Sequence, residues 1–314
     1  MSRRTSCGLL GLAAGIVAGW PAEVAAQRPD DTAAARPQET VALDMASEDW
    51  ATAEGALREA LRIPRAERGP ALRSAMIAAL EAQGVGLDRR GVSAPSYEAL
   101  ADYVGVLLEE VRAMGDPAAI PALVRSPAFG IREAVALADL GPAAMPQALQ
   151  VATSPESGGH LVADGLLALR VMVEVWGGPE ALPRDRYREL VDAAALYLDG
   201  PGERYAELTS SSMWRIGAVL GWAIDLAGVL GDPGLRARLE EIAADRAVTR
   251  ALGVTEEDPI PVLDLQARAA AALAGEPPNP RPESVRPGGA FYRNGRDPRG
   301  RSRRTLPGGV GIAG

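Results

Sequence analysis

The stretch Met114 to Leu140 sets two helix starts within one short run, and no other part of the chain restricts the fold so tightly. Asp116 is an N-cap type of residue, whose carboxylate can accept a hydrogen bond from a free N–H of the first turn. Pro117 follows at the first helical position, where its missing N–H costs nothing. Ile120, Leu123 and Val124 then fall at i, i+3 and i+4, one face of a helix. Ser126-Pro127 opens a second segment, with Ile131, Ala134, Val135, Leu137 and Ala138 again at helical spacing. Gly141 suits the left-handed position that ends a helix, and Pro142 prevents continuation. Two helices this short, each with one apolar stripe, cannot bury that stripe alone. They need neighbours stacked on both sides, which points to a repeated unit.

The unit recurs. Leu230-Gly231-Asp232-Pro233-Gly234-Leu235 repeats Met114-Gly115-Asp116-Pro117-Ala118-Ala119. Leu140-Gly141-Pro142-Ala143-Ala144-Met145-Pro146 is a degenerate copy, its Met145-Pro146 echoing Ile120-Pro121, and Gly177-Gly178-Pro179 ends another helix in the same manner. From roughly Tyr97 to Gly275 the chain resembles the HEAT-type helical repeat proteins, including their bacterial HEAT-like variety. The likeness is sharpest at Met114–Leu149, and the punctuators are unevenly spaced. It implies an all-α fold: an α-solenoid of irregular, stacked antiparallel helix pairs. It also implies a concave face, lined by the second helix of each pair, that takes a protein or peptide partner.

Composition agrees with helices. Hydrophobic residues make up 47% of the chain but aromatics only 4%, so alanine and leucine fill the interior. Strands favour β-branched and aromatic residues, and no sustained period-2 alternation is present. All 33 basic residues are Arg.

The N-terminus reads as a secretory leader over residues 1–26. Arg3 and Arg4 precede an apolar run from Gly8 to Trp20, and Val24-Ala25-Ala26 supplies small residues for cleavage. The run is too short to span a bilayer as a helix. Export to the periplasm or the extracellular space is therefore expected. Cys7, the only cysteine, would leave with the leader, so the mature chain is expected to hold no disulfide and no thiolate ligand. Residues 27–46, rich in Ala, Pro, Thr and Asp, read as a disordered linker. Residues 47–275 read as the helical-repeat domain, its first helix capped by Ser47. Residues 276–314, rich in Pro, Gly and Arg, read as a disordered tail.

Charge divides along the same boundaries. Residues 27–279 hold 23 Arg and 38 acids, a formal −15, whereas residues 280–314 hold eight Arg against two acids. An acidic body disfavours nucleic acid and anionic membrane, while the tail suits an anionic surface or the body itself. No nucleic-acid partner and no spanning helix in the mature form are expected.

Catalytic groups are scarce. A Ser-His-Asp or Cys-His system needs a histidine base, and His160 is the only histidine. It stands four residues before Asp164, on one helix face, but a zinc site wants three or four ligands. No phosphate loop, dinucleotide fingerprint or EF-hand loop is present, so no cofactor and no metal are expected. Paired carboxylates remain the one catalytic device this composition supplies. Arg132 and Arg170 fall in second-helix positions that would line a concave face. Trp214-Arg215 follows a serine run, and Trp and Arg are enriched in binding hot spots. These four are the candidate partner contacts. Three functions stay open: a non-catalytic exported scaffold for a protein or peptide, a carboxylate-dependent hydrolase of an extracytoplasmic glycan, and an envelope-associated structural protein held by its basic tail.

Overall fold

The computed structural model describes residues 36–84, 96–125, 130–154, 157–200, 216–254, 262–276 and 278. Among these the chain is all-helical, with thirteen α-helices packed against one another and no strand. In chain order they are α1 (Gln38–Met45), α2 (Trp50–Arg62), α3 (Pro70–Gly84), α4 (Tyr97–Met114), α5 (Ile120–Val124) and α6 (Ile131–Asp139). Then come α7 (Met145–Thr153), α8 (Gly159–Val175), α9 (Arg184–Leu198), α10 (Ile216–Leu230), α11 (Pro233–Ala244), α12 (Arg246–Ala251) and α13 (Val262–Leu273).

The two Gly-Asp-Pro units share a glycine stop and an aspartate cap, but Asp116-Pro117 opens a 3-10 turn, Pro117–Ala119, ahead of α5, whereas Asp232-Pro233 opens α11 directly. Gly115 ends α4 at φ 61°, and Gly231 follows α10 at φ 63°, the left-handed region that glycine enters without a Cβ clash. Asp116 then accepts a hydrogen bond from the Ala118 N–H at 3.0 Å, and Asp232 accepts from the Gly234 N–H at 2.8 Å. A single tripeptide thus closes one helix and opens the next. Pro142 and Pro179 likewise start short 3-10 turns, after Gly141 and Gly178.

Helix contacts run in order along the chain. α3 packs on α5, α5 on α7, α7 on α9, and α9 on α11. α4 packs on α6, α6 on α8, α8 on α10, and α10 on α13. Between these two sets α3 meets α4, α5 meets α6, α7 meets α8, α9 meets α10, and α11 meets α13. At the N-terminal end α1 packs on α3 and α2 packs on α1, with Val41, Met45, Ala56 and Leu57 in the core. The interior is one continuous apolar core of Leu, Ala and Val from α1 to α13. Two close approaches hold it. An added Cβ on Gly165 of α8 would lie 2.8 Å from the Ala152 nitrogen of α7, and one on Gly228 of α10 would lie 2.7 Å from the Ala272 Cβ of α13.

Two expectations need correction. Residues 27–46 are not all linker, because α1 forms within them and buries Val41 and Met45 at i, i+4. The cap of α2 is Asp49, not Ser47. The Asp49 carboxylate accepts from both the N–H and the hydroxyl of Thr52, while the Ser47 hydroxyl accepts from the Asp49 N–H. The helix that the second Gly-Asp-Pro unit opens ends at Ala244, and the Asp245 carboxylate then caps α12 through the Ala247 N–H at 2.8 Å. The turn at Ser126-Pro127 and the segment 201–215 lie outside the described residues.

Candidate functional site

Polar side chains sit at every contact of the set α4, α6, α8, α10 and α13. Between α4 and α6, Arg132 donates to Glu109 at 2.6 Å, and Arg112 donates to Asp139 at 2.9 Å. The Arg132 and Glu109 side chains keep 26% and 32% of their surface, so this pair faces solvent. Gly105 of α4 lies beside it, with Arg132 Nη1 3.8 Å from where a Cβ would stand.

The contact of α6 with α8 holds two acids. Glu133 and Asp164 are both buried, and the charge of Glu133 acts on Asp164. Burial first, and Glu133 second, push the Asp164 carboxyl well above the ordinary carboxylate range. Among the described residues nothing donates a hydrogen bond to Asp164. At the other end of α8, the Trp176 indole N–H donates to the Ala138 carbonyl at 3.0 Å and ties α8 to α6.

The contacts of α8, α10 and α13 hold a denser cluster around Trp222. Arg268 of α13 grips Asp225 of α10 with two charge-assisted bonds of 2.5 Å each, and its guanidinium lies 4.6 Å from the Trp222 ring centroid. Arg170 of α8 lies 5.7 Å from the same ring and 3.2 Å from Glu174. A cleft of about 440 Å³ opens here, floored by Gly228, Ala271 and Ala272 and rimmed by Glu174, Asp225, Arg268 and Glu276. A second, shallower groove of about 540 Å³ runs between α7 and α9, past Leu149, Arg186, Glu189 and Asp192.

The four candidate contacts do not converge. Arg132 is half-buried on the α4–α6 surface. Arg170 is fully buried, so it presents no guanidinium to a partner on the outer surface; its charge serves the interior beside Glu174 and Trp222. Trp214 and Arg215 lie outside the described residues. Of His160 the structure describes the backbone, which opens α8.

The acidic pair Glu109-Glu110 is divided between two partners. Glu109 meets Arg132. Glu110 accepts from Arg65 at 2.9 and 2.8 Å and from Arg68 at 2.5 Å. Burial alone would raise the Glu110 pKa, but these guanidinium bonds outweigh it and hold the carboxyl below its usual value. Glu256-Glu257-Asp258 lies outside the described residues. Among the described residues no group of three or more His, Cys, Asp and Glu side chains is placed to hold a metal ion, and no helix is long and apolar enough to cross a membrane.

The sequence reading missed Asp225, Arg268, Trp222 and Glu133 as members of any cluster. Asp225 and Arg268 stand 43 residues apart, so no local spacing joins them.

Compared with family models, with curated proteins and with solved structures, the chain matches none.

Proposed function

We propose that the chain is a non-catalytic exported scaffold, built as an irregular α-solenoid of antiparallel helix pairs, that binds a protein or peptide partner along the face of its second helices. The observation that carries this is the order of contacts. Each helix of the set α3, α5, α7, α9, α11 touches the next, and so does each helix of the set α4, α6, α8, α10, α13. Serial contacts of this kind are the mark of quasi-one-dimensional arrays, which present long continuous binding surfaces. The leader-like residues 1–26 are the basis for export.

Burial narrows where a partner would sit. α8 is buried on every side from Val162 to Val173, and α10 nearly so. The accessible parts of the second-helix set are then the α4–α6 surface, with Glu109 and Arg132, and the cleft beside Trp222. Partner contacts on α4 and α6 would be charged at Arg132 and apolar at Leu100, Val106 and Ile131, all partly exposed.

The hydrolase reading has one observation in its favour, the buried acids Glu133 and Asp164. They line neither cleft. In the cleft beside Trp222, Asp225 is clamped by Arg268 and Glu174 sits against Arg170.

A photocrosslinking side chain placed at Arg132 in the full chain, and separately at exposed Arg58 on α2, tests the scaffold reading in the exported fraction. The expected result is a discrete protein adduct from position 132 and none from position 58. Equal adducts at both positions, or none at position 132, would overturn it.

A further inference from the structure

The cleft beside Trp222 is shaped by a missing side chain. Gly228 lets Ala272 approach so closely that a Cβ there would lie 2.7 Å from it. The result is a small-residue floor under a polar rim. The rim carries Glu174, Asp225 and Glu276 against one guanidinium, Arg268. Buried Arg170, 3.2 Å from Glu174, offsets a second carboxylate. One negative charge remains. It is Glu276, which is exposed and makes no ion pair among the described residues.

Such a cleft fits an arginine side chain. The aliphatic stem would lie on Ala271 and Ala272, and the guanidinium would reach Glu276.

The occupant is at hand in the chain itself. Gly275, Glu276 and Pro278 form the lip of the cleft. Beyond them, residues 293–304 hold six arginines, Arg293, Arg296, Arg299, Arg301, Arg303 and Arg304, against one acid, Asp297. We propose that this cleft is the docking site for the chain's own arginine-rich segment 293–304, which occupies it in cis and competes there with any basic partner.

Arg293 stands only 17 residues beyond Glu276 in the chain, and a segment tethered that near a cleft meets it at an effective concentration on the order of 1 mM. An intrinsic affinity as weak as about 1 mM then gives about half occupancy. Because the contact is ionic and exposed, salt should release it. The inference does not depend on the partner reading; a chain with no partner would still close this contact.

The test uses the full chain with Cys7→Ser and Ser302→Cys, the new thiol carrying a photoreactive group, with adducts mapped by peptide mass spectrometry. The expected result is adducts on α10 and α13 within one molecule, falling about fivefold in 0.5 M NaCl. The exposed substitution Glu276→Arg should lower them about threefold at low salt. Three results would each overturn the proposal: adducts spread evenly over α1 to α13, α10 and α13 adducts indifferent to salt and to Glu276→Arg, or adducts on those helices only when anionic phospholipid vesicles are added.

Discussion

Gly165→Ala asks whether α7 and α8 are packed as tightly as the structure places them. Two effects oppose each other. Alanine is better than glycine inside a helix by about 1 kcal/mol. Against that, the new Cβ would lie 2.8 Å from the Ala152 nitrogen and 3.0 Å from its Cα and Cβ. Backbone atoms inside a packed helix cannot swing aside as a side-chain tip can. Overpacking costs about 1–3 kcal/mol, and a clash with backbone belongs at the upper end of that range. The net prediction is a loss of about 1–2 kcal/mol. Gly55→Ala is the internal control, since nothing lies within 4 Å of a Cβ at that exposed position of α2. There only the helix term acts, and a gain of about 0.5–1 kcal/mol is expected. Urea unfolding followed by far-ultraviolet circular dichroism compares the two midpoints at constant slope. If Gly165→Ala proves as stable as Gly55→Ala, the close approach of α7 and α8 is wrong.

Three further outcomes are expected. Asp164 titrates above its unfolded value, so the stability that goes with its neutral form is complete below the ordinary carboxylate range and is lost as pH rises toward the folded pKa; Asp164→Asn should therefore be more stable than the parent at pH 8 and equal to it near pH 4, as thermal melts across that range would register. Arg268→Met leaves the Asp225 carboxylate buried and unpaired at a cost of about 3–5 kcal/mol, whereas Arg268→Met with Asp225→Asn should recover part of that loss, and a double-mutant cycle in urea would reveal any failure of the pairing. The Tyr103 hydroxyl is buried and has no hydrogen-bond partner among the described residues, and burial, with a smaller push from Glu54, raises its pKa to about 12; Tyr103→Phe should match or exceed the parent by about 1 kcal/mol in the same titration, and a clear loss would mean that the hydroxyl is bonded.

Helices with local punctuation were legible in the sequence. Asp232 caps α11, and Asp116 caps the 3-10 turn that leads into α5. Caps with two eligible residues in a row were not resolved: Ser47 and Asp49 both have the chemistry, and only the Thr52 donors decide for Asp49. α1 escaped because eight residues with two buried side chains carry almost no periodic signal. The site was much less legible. A charged residue in a helix is ordinarily read as surface, so the burial of Arg170 went unseen. Its setting inside the apolar run from Leu161 to Trp176, with Glu174 one turn on, was the available signal. Glu133 with Asp164, and Asp225 with Arg268, meet only because α6 packs on α8 and α10 on α13. Pairings of that kind are set by packing between distant segments and leave no trace in local spacing.

The central proposal is partner binding on the second-helix face. Hydrogen exchange of the full chain, with and without the purified protein captured through position 132, tests it most directly. The account predicts added protection in 97–114 and 131–139, the spans of α4 and α6. Protection confined to α7 and α9, along the groove past Leu149 and Arg186, would contradict it.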